Sequence, residues 1–214
     1  MKPSLDNAYA RVRRAEHHLS KLKSESPGIL SSVLGWAEGQ EGLVVPDLPV
    51  DDGITSLPPT FGIPVGEAIY NLRAALDYLV YELAILDSGN VQQGTQFPIE
   101  DTKDGWRRNG PKYLRGLCTK HQAAIERLQP YKGCNWTKRL RALSNPDKHR
   151  TLTVVRRGPL ITNANFSSSI VTPMVMYRKF SFHIIFDDGS EVIETLQVLK
   201  NEVSGVLDQF NPEF

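Results

Sequence analysis

At 214 residues and a formal net charge of +1, the chain is long enough for one substantial core, and its overall charge demands neither a nucleic-acid nor a membrane partner. No apolar run reaches the length of a membrane span, so no membrane partner is expected, and two cysteines, Cys118 and Cys134, make no disulfide framework. The first residues, MKPSLDNAYARVRRAEHHL, lack the apolar core and cleavage site of a signal peptide, which makes a reducing cytoplasm the expected location.

Residues 4–23 read as a first helix. Leu5, Ala8, Val12, Ala15, Leu19 and Leu22 recur at threes and fours as a buried seam, with Arg11, Arg13, Arg14, Glu16, Lys21 and Lys23 on the other faces. Ser4 is the expected N-cap and Pro27-Gly28 the expected stop, with His17 and His18 at surface positions. Residues 28–64 hold prolines at 46, 49, 58, 59 and 64 and read as an irregular insertion, with a short helix at 29–37 and short strands at 42–45 and 54–57.

Pro64 then stands before the central element, VGEAIYNLRAALDYLVYELAIL, at 65–86. Val65, Ile69, Leu72, Leu76, Leu79, Leu83 and Leu86 trace one helical face, and Ala74, Tyr78, Tyr81 and Ile85 a second. A helix apolar on two sides is expected to pack on two sides, yet this one carries Asn71, Arg73 and Asp77. Arg73 and Asp77 are four apart and can pair; if buried, they need partners.

TQFPI at 95–99 is short and extended, Trp106 to Arg108 a polar loop, and 111–117 a brief helix. Thr119-x-x-Gln122 has the form of a capping box opening a helix with Ala124, Ile125 and Leu128 inward, closed by Pro130. Residues 135–143 form the next helix, with Trp136, Leu140 and Leu143 inward and Lys138, Arg139 and Arg141 outward. Asn145-Pro146-Asp147 then has the grammar of a new helix start carrying Lys148, His149 and Arg150. The period changes to two around Leu152 and Val154 and clearly so at 178–186, where Phe180, Phe182 and Phe186 share a face open to dimer or partner contact. Asp187 to Ser190 is a hairpin turn leading into 191–195, and Leu199, Val203, Val206 and Phe210 mark a terminal helix. The expected fold class is therefore α+β. An N-terminal antiparallel helical bundle (1–150) precedes a small C-terminal antiparallel sheet with a terminal helix (151–214), together one compact unit.

Chemistry concentrates in two places. Cys118-x-x-His121, with Cys134 and His149, supplies zinc-type side chains without the second tight pair of a structural site, so no metal and no cofactor are expected. A site built from Asp77 and His149 has no motif behind it, and Cys118 with His121 as nucleophile and base lacks an orienting third group. The richer cluster is Lys138, Arg139, Arg141, Asn145, Asp147, Lys148, His149 and Arg150. The cations flanking His149 disfavour its protonated form, which suits a general acid or base near neutral pH. The arginines would stabilise a developing phosphorane and Asn145 a phosphate oxygen, the parts needed for metal-independent RNA cleavage by the ribose 2′-hydroxyl. The alternative is structural: Asn145 and Asp147 cap a helix, Lys148 and Arg150 face water, and His149 bonds Asp77 to tie two helices together.

The run NLRAALD on the central helix, followed later by an asparagine and a basic histidine motif, resembles the HEPN superfamily, small helical proteins that are frequently dimeric RNases of toxin–antitoxin and phage-defence systems. The family signature is an arginine four to six residues before a histidine. The resemblance implies His149 as the catalytic histidine and Arg141 as the arginine, here with seven residues between them and Ala142 after the arginine. It covers 65–150. ALDYL, FPI and NPDKHR together are also similar to uncharacterised proteins of bacteria and their phages. These readings imply an RNA or nucleotide partner, a homodimer and an antitoxin or other protein partner. In them His149 is acid/base, Arg141 and Arg150 are phosphate clamps, and Asp77 orients the histidine. Asn145, Asp147, Lys148, Arg139, Lys138, Asn71 and Arg73 bind.

Overall fold

A computed structural model describes residues 2–34, 55–56, 59–147, 154–160, 179–186 and 188–214, with side chains described over 2–27, 61–144, 184–186 and 188–214. Its centre is α2 (Pro59–Ser88), packed against α1 (Asp6–Leu34), α5 (Asn135–Asp147) and α6 (Val192–Phe210). Val65, Ile69, Leu72, Leu76, Leu79 and Leu83 on α2 are all at most 1% exposed, as the spacing predicts. The α1 seam from Leu5 to Leu22 is buried in full, and α6 adds Leu196, Leu199, Val203, Leu207 and Phe210 to the same core. The second α2 stripe behaves differently. Ala74, Tyr78 and Tyr81 are only half-buried and line a cleft.

The α+β expectation is overturned. Six α-helices dominate the described residues, including α3 (Lys103–Tyr113) and α4 (Thr119–Arg127). The strands amount to one antiparallel pair, β2 (Val154–Leu160) with β3 (Lys179–Ile185), and a two-residue β1 (Thr55–Ser56) along its edge. Only Ile184 and Phe186, at the end of that pair, enter the core among the described side chains. Phe180 and Phe182 lie on β3, with side chains outside the described ones. After the turn, Glu191 makes a single bridge to Ile185 and the chain becomes helix at Val192, where a second hairpin arm was expected. Val192, Leu196, Leu199 and Val203 are spaced four, three and four apart, so burying them together requires helix.

Several boundaries expected at prolines are absent. α1 runs through Pro27, where the carbonyl of Lys23 loses its backbone donor and accepts the Ser26 hydroxyl at 3.2 Å instead. α2 begins at Pro59 and includes Pro64, and α5 continues through Pro146 to Asp147, with no new helix start at Asn145. Trp106 sits on α3, not in a loop, because Thr102 caps that helix by accepting the Gly105 N–H at 3.0 Å. At the start of α4 the N-cap residue is Cys118, not Thr119, and Gln122 bonds the Leu117 carbonyl. The expected strand at 42–45 lies outside the described residues. Among the described residues, no helix is long and apolar enough to cross a membrane.

His17 is exposed, but His18 is 5% exposed, with Nε2 3.0 Å from Glu67 Oε2 out of hydrogen-bond alignment. Burial pushes the His18 pKa below the ordinary histidine value, against the pull of Glu67 and with Arg14, His17 and Lys21 adding to the depression. Above that value both folded and unfolded states are neutral at this site. As pH falls below it, the unfolded chain takes up the proton first and stability is lost. Urea unfolding of wild type and His18→Gln from pH 8 to pH 5 should show the wild type losing more stability with acid; parallel profiles would refute this.

Candidate functional site

A cleft of about 690 Å³ opens beside α2, within the usual size range of small-molecule pockets. Arg11 of α1 and Tyr70, Arg73, Tyr78 and Tyr81 of α2 line one side. The segment from Gln96 to Glu100, with Asn109 and Tyr113 of α3 and Arg141 and Ser144 of α5, completes it. The Arg11 guanidinium lies 5.4 Å from the Tyr78 ring centroid and 6.0 Å from that of Tyr70, and its Nη1 donates to Asn71 Oδ1 at 3.2 Å. Asn71 in turn donates to the Glu67 carbonyl at 2.7 Å.

The wall at Phe97–Glu100 belongs to no helix or strand, so its backbone groups need side-chain partners. Side chains from α2, from α5 and from Gln129 supply them. Asp77 accepts the Phe97 N–H at 2.8 Å, and Arg73, 3.3 Å from Asp77, donates to the Phe97 carbonyl. Gln129, fully buried just after α4, donates to the Pro98 carbonyl and accepts the Glu100 N–H, both at 2.9 Å. Arg141 donates to the Ile99 carbonyl at 2.9 Å and pairs with Asp101.

The Arg73–Asp77 pair therefore holds a neighbouring chain segment, a role that four-residue spacing leaves open. Burial pushes the Arg73 pKa below the ordinary arginine value while Asp77 opposes the shift, and its Nη1 is buried with no hydrogen-bond partner among the described residues. Gln129 has no motif around it. Its one sequence signal is a polar residue directly before Pro130 at a helix end.

Of the other predicted site residues, Arg139 pairs with Asp188 and Ser190 at the turn before α6, away from the cleft lining, and Lys138 is exposed on α5. Hydrogen bonds from Arg139 hold the Asp188 carboxyl down at about 2, with further bonds from Ser190. Asn145 and Asp147 lie on α5 with side chains outside the described ones, and Lys148, His149 and Arg150 lie outside the described residues. The fold thus brings Arg73, Asp77, Arg141 and, through Arg11, Asn71 to one cleft, and delivers the chain to its rim at Ser144. Comparison of the chain with protein-family models, curated proteins and solved structures finds no match.

Proposed function

We propose that the chain binds RNA, or a nucleotide phosphate, in this cleft, and that it acts as a HEPN-like ribonuclease working without metal. The observation that carries the reading is the interleaving of Arg11, Arg73 and Arg141 with Tyr70, Tyr78, Tyr81 and Tyr113 around one opening. Guanidinium groups match phosphate oxygens, and tyrosine rings stack on unpaired bases for about 1–3 kcal/mol per base. In the reaction, His149 is the acid/base, Arg150 and Arg141 steady the phosphate, and Asp77 is a positioning residue. Asn145, Asp147 and Lys148 follow Ser144 in the chain and contact the strand. A homodimer, an antitoxin-type partner, a bacterial or phage conflict system and a cytoplasmic location belong to the same proposal.

Binding of a labelled single-stranded RNA should weaken steeply with salt. Tyr70→Ala, at a residue 57% exposed and so free to change without unfolding, should weaken binding about 5- to 100-fold. Cleavage should survive EDTA and vanish in folded His149→Ala. Salt-independent or absent binding would end the proposal. A second reading, a non-enzymatic interaction protein, draws on the grip that Arg73, Asp77 and Arg141 keep on the 97–100 backbone. Wild type that binds no RNA, with these residues needed only for stability, would establish it.

A further inference from the structure

We infer that Asp87, Cys118 and His121 form a transition-metal site, with Zn²⁺ the ion their donors fit best. The sequence offers Cys118-x-x-His121 with Cys134 and His149 further on but no second tight pair; the fold supplies Asp87 from the far end of α2, 31 residues before Cys118. One ligand atom from each of the three lies within 4.8 Å of the other two. Zinc bonds of about 2.0–2.3 Å in a tetrahedron place ligand atoms about 3–4 Å apart, so the Asp87 Oδ2–His121 Nδ1 pair, 2.7 Å apart, opens slightly as the ion enters. A thiolate, an imidazole and a carboxylate together favour zinc over the hard cations calcium and magnesium, which take oxygen.

The surroundings are those of a ligand set. Gly116, at φ +85°, makes the turn that returns the chain to α2; a Cβ there would stand 2.8 Å from Gln92 Cγ and 3.4 Å from the Ala84 carbonyl. Cys118 is exposed, which leaves an entry path and a coordination position open to solvent. Asp87 Oδ2 accepts the Cys118 N–H at 2.8 Å and lies 2.7 Å from His121 Nδ1.

His121 is 4% exposed and packs edge-on against Phe210, and its Nε2 has no hydrogen-bond partner among the described residues. Glu213 Oε2 stands 3.8 Å from that nitrogen, and Lys120 holds the same carboxylate. With metal on Nδ1, the Nε2–H faces Glu213, the carboxylate partner that a ligating histidine commonly takes. A purely structural role for Asp87 as a remote cap of α4 accounts for its bond to the Cys118 N–H. It leaves unexplained the thiol placed beside both the carboxylate and the imidazole.

Cobalt(II), which takes zinc's tetrahedral sites and reports thiolate ligation by charge-transfer absorption, tests the site on the purified, metal-stripped full chain. One equivalent should saturate a thiolate-to-cobalt band, and Zn²⁺ should displace it. Cys118→Ser should abolish the band, Cys134→Ser should leave it, and Asp87→Asn should weaken cobalt binding at least tenfold. A wild type showing no such band at saturating cobalt would overturn the inference. So would a band that survives Cys118→Ser and disappears in Cys134→Ser. The readout involves no RNA, so its failure is separate from failure of the nuclease proposal.

Discussion

Arg73→Met is expected to destabilise the fold by about 3 kcal/mol, the low end for breaking a buried ion pair by removing one partner. The low end applies because the side chains of Arg73 and Asp77 are 22% and 36% exposed and Asp77 still accepts the Phe97 N–H, so water and that bond partly compensate the loss of the arginine. Methionine keeps the length and packing of the arginine stem but leaves the Phe97 carbonyl without its donor. Arg73→Lys should fall between the two, since an ammonium can face Asp77 but lacks the planar fork that spans carboxylate and carbonyl. Urea unfolding checks the series. A methionine variant within about 0.5 kcal/mol of wild type would show that the pair merely rests on the 97–100 segment.

Gln129→Ala should cost more, about 4 kcal/mol. The side chain is fully buried and makes three bonds: to the Pro98 carbonyl, to the Ile125 carbonyl at 3.1 Å, and from the Glu100 N–H. Truncation strands the Glu100 N–H and the Pro98 carbonyl in an apolar interior, at about 1–3 kcal/mol each, and opens a cavity besides. Gln129→Met separates the two effects. It keeps most of the volume but makes none of the three bonds, so it should recover only the cavity part of the loss. Amide hydrogen exchange at Glu100 should accelerate in the alanine variant before global unfolding does. Unchanged exchange there would mean that the wall is held from elsewhere. Because the same segment lines the cleft, RNA binding should weaken in both Gln129 variants wherever they remain folded.

The HEPN resemblance rests on residues whose structural roles diverge. NLRAALD lies on α2 as read, yet its arginine and aspartate grip the Phe97 backbone. Arg141, assigned to phosphate, is bound to Ile99 and Asp101. Each therefore positions the cleft wall, and any contact with phosphate is made from that anchored geometry.

What the sequence determined by itself is what depends on neighbours along the chain. The α1 seam, the Val65–Leu83 face of α2, the terminal helix and the Arg73–Asp77 pair all follow from the 3.6-residue period, which is local. Tertiary structure alone decided the rest. Pro27 could pass inside a helix because Ser26 took over the freed carbonyl, a compensation invisible to a rule about proline. Residues 192–195 became helix because Val192, Leu196 and Leu199 had a core to enter on one face, which a turn signal cannot foresee. Tyr78 and Tyr81 line a cleft with the Phe97–Glu100 segment, which is held by side chains from three separate stretches, one of them α2 itself. Asp87 meets His121 across 34 residues, a proximity set by the tertiary fold that no spacing rule encodes.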